Sequence, residues 1–482
     1  MLDSGAVSDA QLNFVLFNLK LAGLTYSTVM RMMKGPPCLT QICLTTLCLL
    51  VLLAHHKTKA SHTVNTAPID VLHYNITIEP DISSKTLKGS VTIRFVSNVD
   101  NLTSVEFDCG ELEIDRVKQA GVAREFVVKD HLLKVSLPPM KTRQVAEVDI
   151  TYHGAPKRGI RFFPESSQVY TIFSTSQWTV CIDAPDDKAT LRFTLILPSN
   201  LTPLANGRLI TKRQAAGKTE SVWEQKSPMP TYIFGFAAGP YRVVTEQKNG
   251  VTLQYFVSNF TDDETRRIFR DTPDMLAFYE ARAGVNYADR TYGQVLAAGG
   301  VEQEMSSFTA MNERYGKGVL ANEQDLWLGA HEFAHQWWGN MVTCRDWNHF
   351  WLNEGIATFM AAAYMEHRFG RQVYLREIEK YRASYEKVRA AGKDKSLVFP
   401  DWLHPTREDR TLVYDKGAYV MHLLREEMGE TAFWKGLKIF TRRYFGKSVV
   451  TADFKAAMEE ANGKSLDSFF AKWVYLKEAS GK

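Results

Sequence analysis

The sequence predicts an α+β chain, with an antiparallel, saddle- or sandwich-like β domain followed by a mainly helical domain that carries a metal-binding motif. Three observations lead there. Between residues 68 and 245 apolar and polar residues alternate at period two. Past Gly239-Pro240 the apolar spacing becomes helical over most of the remaining chain. His331-Glu332-x-x-His335 then falls inside the second part, with Glu354 downstream. The expected division is a leader at 1–60, a β domain at 61–245 and a helical domain at 246–482.

With 482 residues, 45% hydrophobic and 23% charged, the chain can bury two or three substantial cores. The net charge of +4 is spread out, with no stripe of Lys and Arg, which argues against nucleic acid as a partner. The amino terminus departs from globular composition. Arg31 and Lys34 precede an apolar run from Cys38 to Ala54, then polar residues His55 to Asn65 and the small Ala60. That layout reads as a signal peptide and predicts export, periplasmic or secreted. The alternative is an uncleaved membrane anchor, for which the run is short. Met30, Met32 and Met33 offer alternative starts. Beyond the leader only Cys109, Cys181 and Cys344 remain, enough for one disulfide but not for a stapled fold. Sequons at Asn75, Asn101, Asn200 and Asn259 matter only in a glycosylating host.

In the β region, Tyr74/Ile76/Ile78, Val91/Ile93/Phe95, Leu112/Ile114 and Val135/Leu137 alternate with polar neighbours. Lys88-Gly89-Ser90 and Ala215-Ala216-Gly217-Lys218 read as turns between strands. Asp183-Ala184-Pro185-Asp186-Asp187-Lys188 reads as a solvated loop before a strand from Leu191 to Leu197. Helical spacing covers Arg266 to Ala283, Val373 to Ala391, Ala418 to Met428 and Ala432 to Tyr444, with a surface loop at Gly392 to Arg410.

The metal motif belongs to a helix that Asn322 would cap and Gly339 would end. Leu326, Ala330, Ala334 and Trp337 form its buried stripe, and Trp327, His331, His335 and Trp338 a neighbouring face toward a cleft. Residues i and i+4 share a helix face, so His331 and His335 can bind one ion. Two structural histidines on an amphipathic helix are the plain alternative. Glu354 argues against it. It opens a second helical run, Ile356, Phe359, Met360, Ala363 and Tyr364, closing near Gly370, and a hairpin of the two helices would bring its carboxylate beside the histidines. Two His and one carboxylate with a fourth position open is the catalytic zinc arrangement.

These residues resemble the M1 (gluzincin) family of zinc aminopeptidases, over roughly residues 68 to 482. The family's His-Glu-x-x-His, eighteen residues, then Glu fits His331, His335 and Glu354, and the flanks Gln336-Trp337-Trp338-Gly339-Asn340 and Trp351-Leu352-Asn353-Glu354-Gly355 match as well. Ala298-Gly299-Gly300-Val301-Glu302-Gln303 is similar to the Gly-Ala-Met-Glu-Asn strand, and Val413-Tyr414-Asp415-Lys416-Gly417-Ala418 to the Tyr-x-Lys-Gly segment. The resemblance implies a thermolysin-like catalytic domain with one zinc ion per chain on His331, His335 and Glu354. It implies that Glu332 is the general base for a zinc-activated water, that Tyr414 supports the transition state, and that Glu302 binds the free α-amine of a peptide. Gly299, Gly300 and Val301 would line the substrate strand.

Departures accompany the match. Val301 and Gln303 replace Met and Asn, and Ala184 replaces the Glu of an Asp-Glu-Pro loop. About fourteen residues before Pro185, where the family places a second amine-binding Gln or Glu, stand Tyr170-Thr171. The chain stops soon after Trp473, so the family's carboxy-terminal domains are expected to be missing, leaving an open cleft or one closed by a homo-oligomer. The alternatives to an aminopeptidase are a related hydrolase with altered specificity, an endopeptidase or epoxide hydrolase, and a non-catalytic peptide-binding scaffold. Blocked and free amino-terminal peptides separate the first two, and the intact motif argues against the third.

Overall fold

Period-two alternation becomes an eight-stranded sheet in the first half of the chain. Its order is Arg208–Ala215, Lys218–Pro230, Lys188–Pro198, Ile69–Asp81, Thr86–Ser97, Val145–Gly154, Glu113–Gln119 and Val122–Ala123. Tyr74, Ile76, Ile78, Val91, Ile93 and Phe95 are all buried, as the alternation requires. One pairing breaks the antiparallel rule: Ile69–Asp81 and Lys188–Pro198 run parallel, from His73 opposite Thr190 to Ile78 opposite Leu195. A three-stranded sheet (Leu102–Asp108, Leu132–Met140, Phe126–Lys129) and a four-stranded one (Thr202–Ala205, Phe236–Gly239, Gln168–Thr171, Ile160–Phe163) complete this core.

This computed structural model describes residues 67–300, 302–399, 402 and 405–476. The signal peptide or anchor expected in residues 1–60 lies outside the described residues, as does Val301. No helix among the described residues is long and apolar enough to cross a membrane.

Two local expectations for the β half are corrected. Lys88-Gly89-Ser90 is no turn but the middle of the strand Thr86–Ser97. Gly89 is there for packing, since a Cβ would stand 2.8 Å from the Tyr152 ring. The reversal occurs earlier, where Asp81 Oδ1 accepts from the amides of Ser83 and Ser84 at 2.9 and 3.1 Å. The Asp183–Lys188 loop is not simply solvated either. Asp183 accepts hydrogen bonds from Ser176, and the buried Asp187 accepts from the Val71 amide at 3.3 Å. The turn at Ala215–Lys218 does form, with Ala216 and Gly217 at φ 48° and 73°.

The second half begins with its own sheet, Arg242–Lys248, Val251–Val257, Thr291–Ala297 and Phe308–Asn312, whose last three strands are mutually parallel. Residue 245 falls inside the first of these strands, so we place the division at Gly239-Pro240. The run expected from Arg266 to Ala283 is two helices, Asp262–Ile268 and Thr272–Ala283. Pro273 occupies the first turn of the second, where its missing N–H costs nothing. Helices Arg371–Ala390, Gly417–Met428 and Glu430–Tyr444 lie where periodicity put them, and a short helix, Arg407–Thr411, interrupts the loop expected at Gly392 to Arg410. Cys109, Cys181 and Cys344 are buried thiols, so no disulfide joins them.

Candidate metal centre and active site

The His-bearing helix spans Trp327–Ala334, with further turns to Trp337. Asn322 does not cap it. That residue is extended and ends the preceding helix, Glu313–Ala321, while its side chain accepts from the Gln324 amide at 3.1 Å. Gly339, at φ 126°, turns the chain away after the helix. Leu326, Ala330, Ala334 and Trp337 are fully buried, as the stripe predicts. The second face divides. Trp327 stacks on the His331 ring at 4.9 Å, whereas Trp338 is in the core and donates to Thr441 Oγ1 at 2.9 Å.

The Glu-bearing helix, Trp351–Phe369, starts with Glu354 in its first turn and ends at Gly370. It returns the carboxylate to the histidines. His331 Nε2 and His335 Nε2 are 3.1 Å apart, and Glu354 Oε2 lies 3.4 and 3.3 Å from them. Zinc bonds of about 2.0–2.1 Å in a tetrahedron separate ligands by about 3.3 Å, so the three atoms already have a zinc-sized spacing. The chemistry of the donors agrees. His335 Nδ1 lies 3.1 Å from the Trp338 carbonyl, which can only accept, so Nδ1 carries a proton and Nε2 is the nitrogen left to bind a metal. Thr358 Oγ1 stands 3.4 Å from His331 Nδ1 in the same supporting position. Two imidazole nitrogens and a carboxylate oxygen facing one point fit a cation.

Charge is concentrated here. Glu354, Glu332 and Glu304 are almost fully buried, and Glu354 Oε2, Glu332 Oε2 and Glu304 Oε1 have no hydrogen-bond donor among the described residues. Burial alone would raise Glu354, but His335 and His331 outweigh it and hold it at about 2. Burial would lower His335, yet Glu354, Glu304 and Glu332 lift it to about 10, a measure of the negative potential a dication would neutralise. Burial drives Glu332 well above the ordinary carboxylate range, against the pull of His335.

Tyr414 reaches this cluster from a π-helical turn, Leu412–Lys416, with its ring 6.0 Å from that of His331. Such turns are rare and cluster at functional sites. Two contacts hold it. Gly417 meets Gly355 backbone to backbone, where a Cβ on either would stand 2.9 Å from the other's Cα. The buried Lys416 ammonium donates to Asp394 Oδ1 and to the Lys395 carbonyl, both at 2.7 Å. Burial first, then Glu354, Glu304 and Glu332, push the Tyr414 phenol well above its usual range, which keeps it a proton donor.

Gly299 packs under Phe163 and Tyr170 of the β half, and Gly300 faces Arg314. The Glu302 carboxylate is half-exposed and bound by Asn312 Nδ2, the residue that caps helix Glu313–Ala321. Glu302 registers at the centre only as the weakest of the influences on Glu332. Glu304, two residues on, is the carboxylate that acts on His335, Glu332 and Tyr414. Gln303 pairs through its backbone with Ala310, and its side chain links Glu304 Oε2 to the Phe173 amide. Burial lifts Glu304 to about 7 despite His335.

Family models match both halves of the chain: the Peptidase M1 N-terminal domain at residues 70–233 and the Peptidase family M1 domain at 308–473. The chain belongs to peptidase family M1. Aminopeptidase M1-D of Oryza sativa subsp. japonica is 27% identical over 61% of this chain and 35% of its own length. Aminopeptidase 2, mitochondrial, of Saccharomyces cerevisiae is 21% identical over 84% of this chain and 46% of its own. Aminopeptidase N of Haemophilus influenzae is 27% identical over 61% and 36%. The M1 chain thus spans between a third and a half of these relatives. An M1 zinc metallopeptidase of Deinococcus radiodurans, solved with a Tyr-Ser-Ala substrate, superposes with a TM-score of 0.73 at 22% identity, covering 86% of this chain and 96% of that one. It establishes the shared two-domain fold.

Proposed function

We propose that this M1 chain is a zinc aminopeptidase, hydrolysing the first peptide bond of peptides with a free amino terminus. The observation that carries the reading is the pair Glu332 and Glu304, two buried carboxylates with unpartnered oxygens beside a zinc-sized triad. His331, His335 and Glu354 would hold one zinc ion per chain. Zinc in such a site acts as a Lewis acid and lowers the pKa of a coordinated water. Glu332 follows His331 directly, so it faces the attacking water rather than the ligand position. It takes a proton from that water and returns it to the departing amine. The Tyr414 hydroxyl donates to the oxyanion that forms at the scissile carbonyl. Glu304, steadied by Gln303, holds the substrate ammonium in place of Glu302. Gly299, Gly300 and Val301 would border the peptide's path.

Amine capture rests on this one segment. The Thr171 hydroxyl, at the place of the family's second amine-binding group, is used within the β half: it accepts from the Phe236 amide at 2.9 Å and donates to the Phe236 carbonyl at 3.3 Å. That favours a second reading, some tolerance of blocked termini. The leader would direct export or anchor the protein. The test is hydrolysis of aminoacyl-coumarins and their acetylated counterparts by the zinc-loaded chain and Glu332→Gln. Cleavage of free substrates by the parent alone is expected. Equal cleavage of acetylated substrates would replace aminopeptidase with endopeptidase, and inert zinc-loaded parent would sink both.

A further inference from the structure

The loop following the metal-binding histidines is gripped from the β half of the chain. Trp338 to Met341 back the His335 ring: the Trp338 carbonyl lies 3.1 Å from Nδ1, and a Cβ at Gly339 would stand 2.7 Å from the same nitrogen. Two β-half side chains close on this loop. The buried Tyr232 hydroxyl donates to the Gly339 carbonyl at 3.0 Å and accepts from Asn353 Nδ2 at 3.1 Å. Lys188 Nζ donates toward the carbonyls of Asn340, Met341 and Lys447, at 3.3, 2.8 and 3.2 Å. Asn353 directly precedes Glu354, and its Oδ1 accepts from the Cys344 amide at 2.9 Å. One phenol therefore spans the two elements that supply all three ligands.

We infer that Tyr232 and Lys188 are positioning residues for the metal site, so that the β domain helps determine how tightly zinc is held. The inference rests on zinc occupying His331, His335 and Glu354. Once deprotonated to receive a metal, donor atoms 3.1–3.4 Å apart repel one another, so their spacing must be maintained by the surroundings. A hydroxyl that donates to one element and accepts from the other resists that repulsion in a way a one-sided contact does not. Without it, the Gly339 carbonyl and the Asn353 amide lose this partner in a buried setting, and the loop behind His335 is free to shift. Lys188 Nζ lies within hydrogen-bond reach of three carbonyls and holds the same loop one residue further on.

Tyr232→Phe isolates the hydroxyl, because the ring keeps its edge-on contact with Trp347 at 5.2 Å. Tyr152→Phe is the matched control: it removes a buried bond to Thr179 at 2.7 Å within the β half. Zinc ion is titrated into each metal-stripped full chain against a chromogenic chelator, and apo thermal unfolding is recorded alongside. Tyr232→Phe is expected to weaken zinc binding by about 10- to 100-fold, with Tyr152→Phe unchanged although both lose apo stability. Lys188→Met is expected to weaken zinc by a smaller factor, about threefold or more, and carries the test if Tyr232→Phe is not recovered folded. Zinc affinity within twofold of the parent in the folded variants, or an equal loss in Tyr152→Phe, overturns the inference while leaving the zinc reading intact. A parent that binds no zinc overturns both.

Discussion

The metal helices and the strand segment beside them contribute to the same centre under different kinds of control. Trp327–Ala334 and Trp351–Phe369 are periodic, so a side chain's sequence position dictates its face. His331, His335 and Glu354 stand together as their spacing requires. Glu302 to Ser307 has no such internal ruler. It is an irregular edge fixed by the Gln303–Ala310 pairing and by Ser307 at φ 65°, and the carboxylate inside is Glu304 rather than Glu302. Where the local repeat is strong, chemistry can be read from spacing; where tertiary contacts set the register, spacing does not say which of two neighbouring carboxylates is buried.

The largest expected effect lies on the periodic side. Glu332→Gln should lower kcat by about 10³ or more while zinc content, measured by metal analysis, stays at the parent level. Lost zinc instead would mean that the helix does not present Glu332 independently of the ligands.

Next comes the contact that joins the Tyr414 turn to the Glu-bearing helix. Gly417→Ala forces a methyl against the Gly355 backbone, and neither partner can rotate away. A stability loss of about 3 kcal/mol, near the top of the overpacking range, is expected in denaturant unfolding, with a parallel fall in kcat. Parent-like stability would mean that the close approach does not position Tyr414.

The smallest effect concerns a packing-determined loop in the β half. Burial first, then Asp70 and Asp186, raise Asp187 to about 7. Because the folded-state value is raised, the cost of ionising it is absent below the ordinary carboxylate range and complete above pH 7. Asp187→Asn should therefore stabilise the chain by about 2 kcal/mol at pH 8, the gain fading toward pH 4. A gain independent of pH would remove the titration from the explanation.

Much of the fold was legible. The alternation of Tyr74/Ile76/Ile78 and the helical spacing from Val373 onward located both halves because burial follows period. Misreadings cluster where a distant partner decides. Gly89 looks like a turn until Tyr152 lies over it, Asp187 looks solvated until Val71 donates to it, and Asn322 serves the helix before it rather than the one after. Tyr232 gave no local signal, since its role exists only once Gly339 and Asn353 arrive on either side of its hydroxyl.

The most direct measurement compares Glu304→Gln with Glu302→Gln, both zinc-loaded, in kcat/KM on an aminoacyl-coumarin with a free amine. A buried carboxylate pairing with the substrate ammonium predicts a loss of about 100-fold for Glu304→Gln, against no more than about threefold for Glu302→Gln. The reverse ranking, or equal losses, would contradict the assignment of the amine anchor to Glu304.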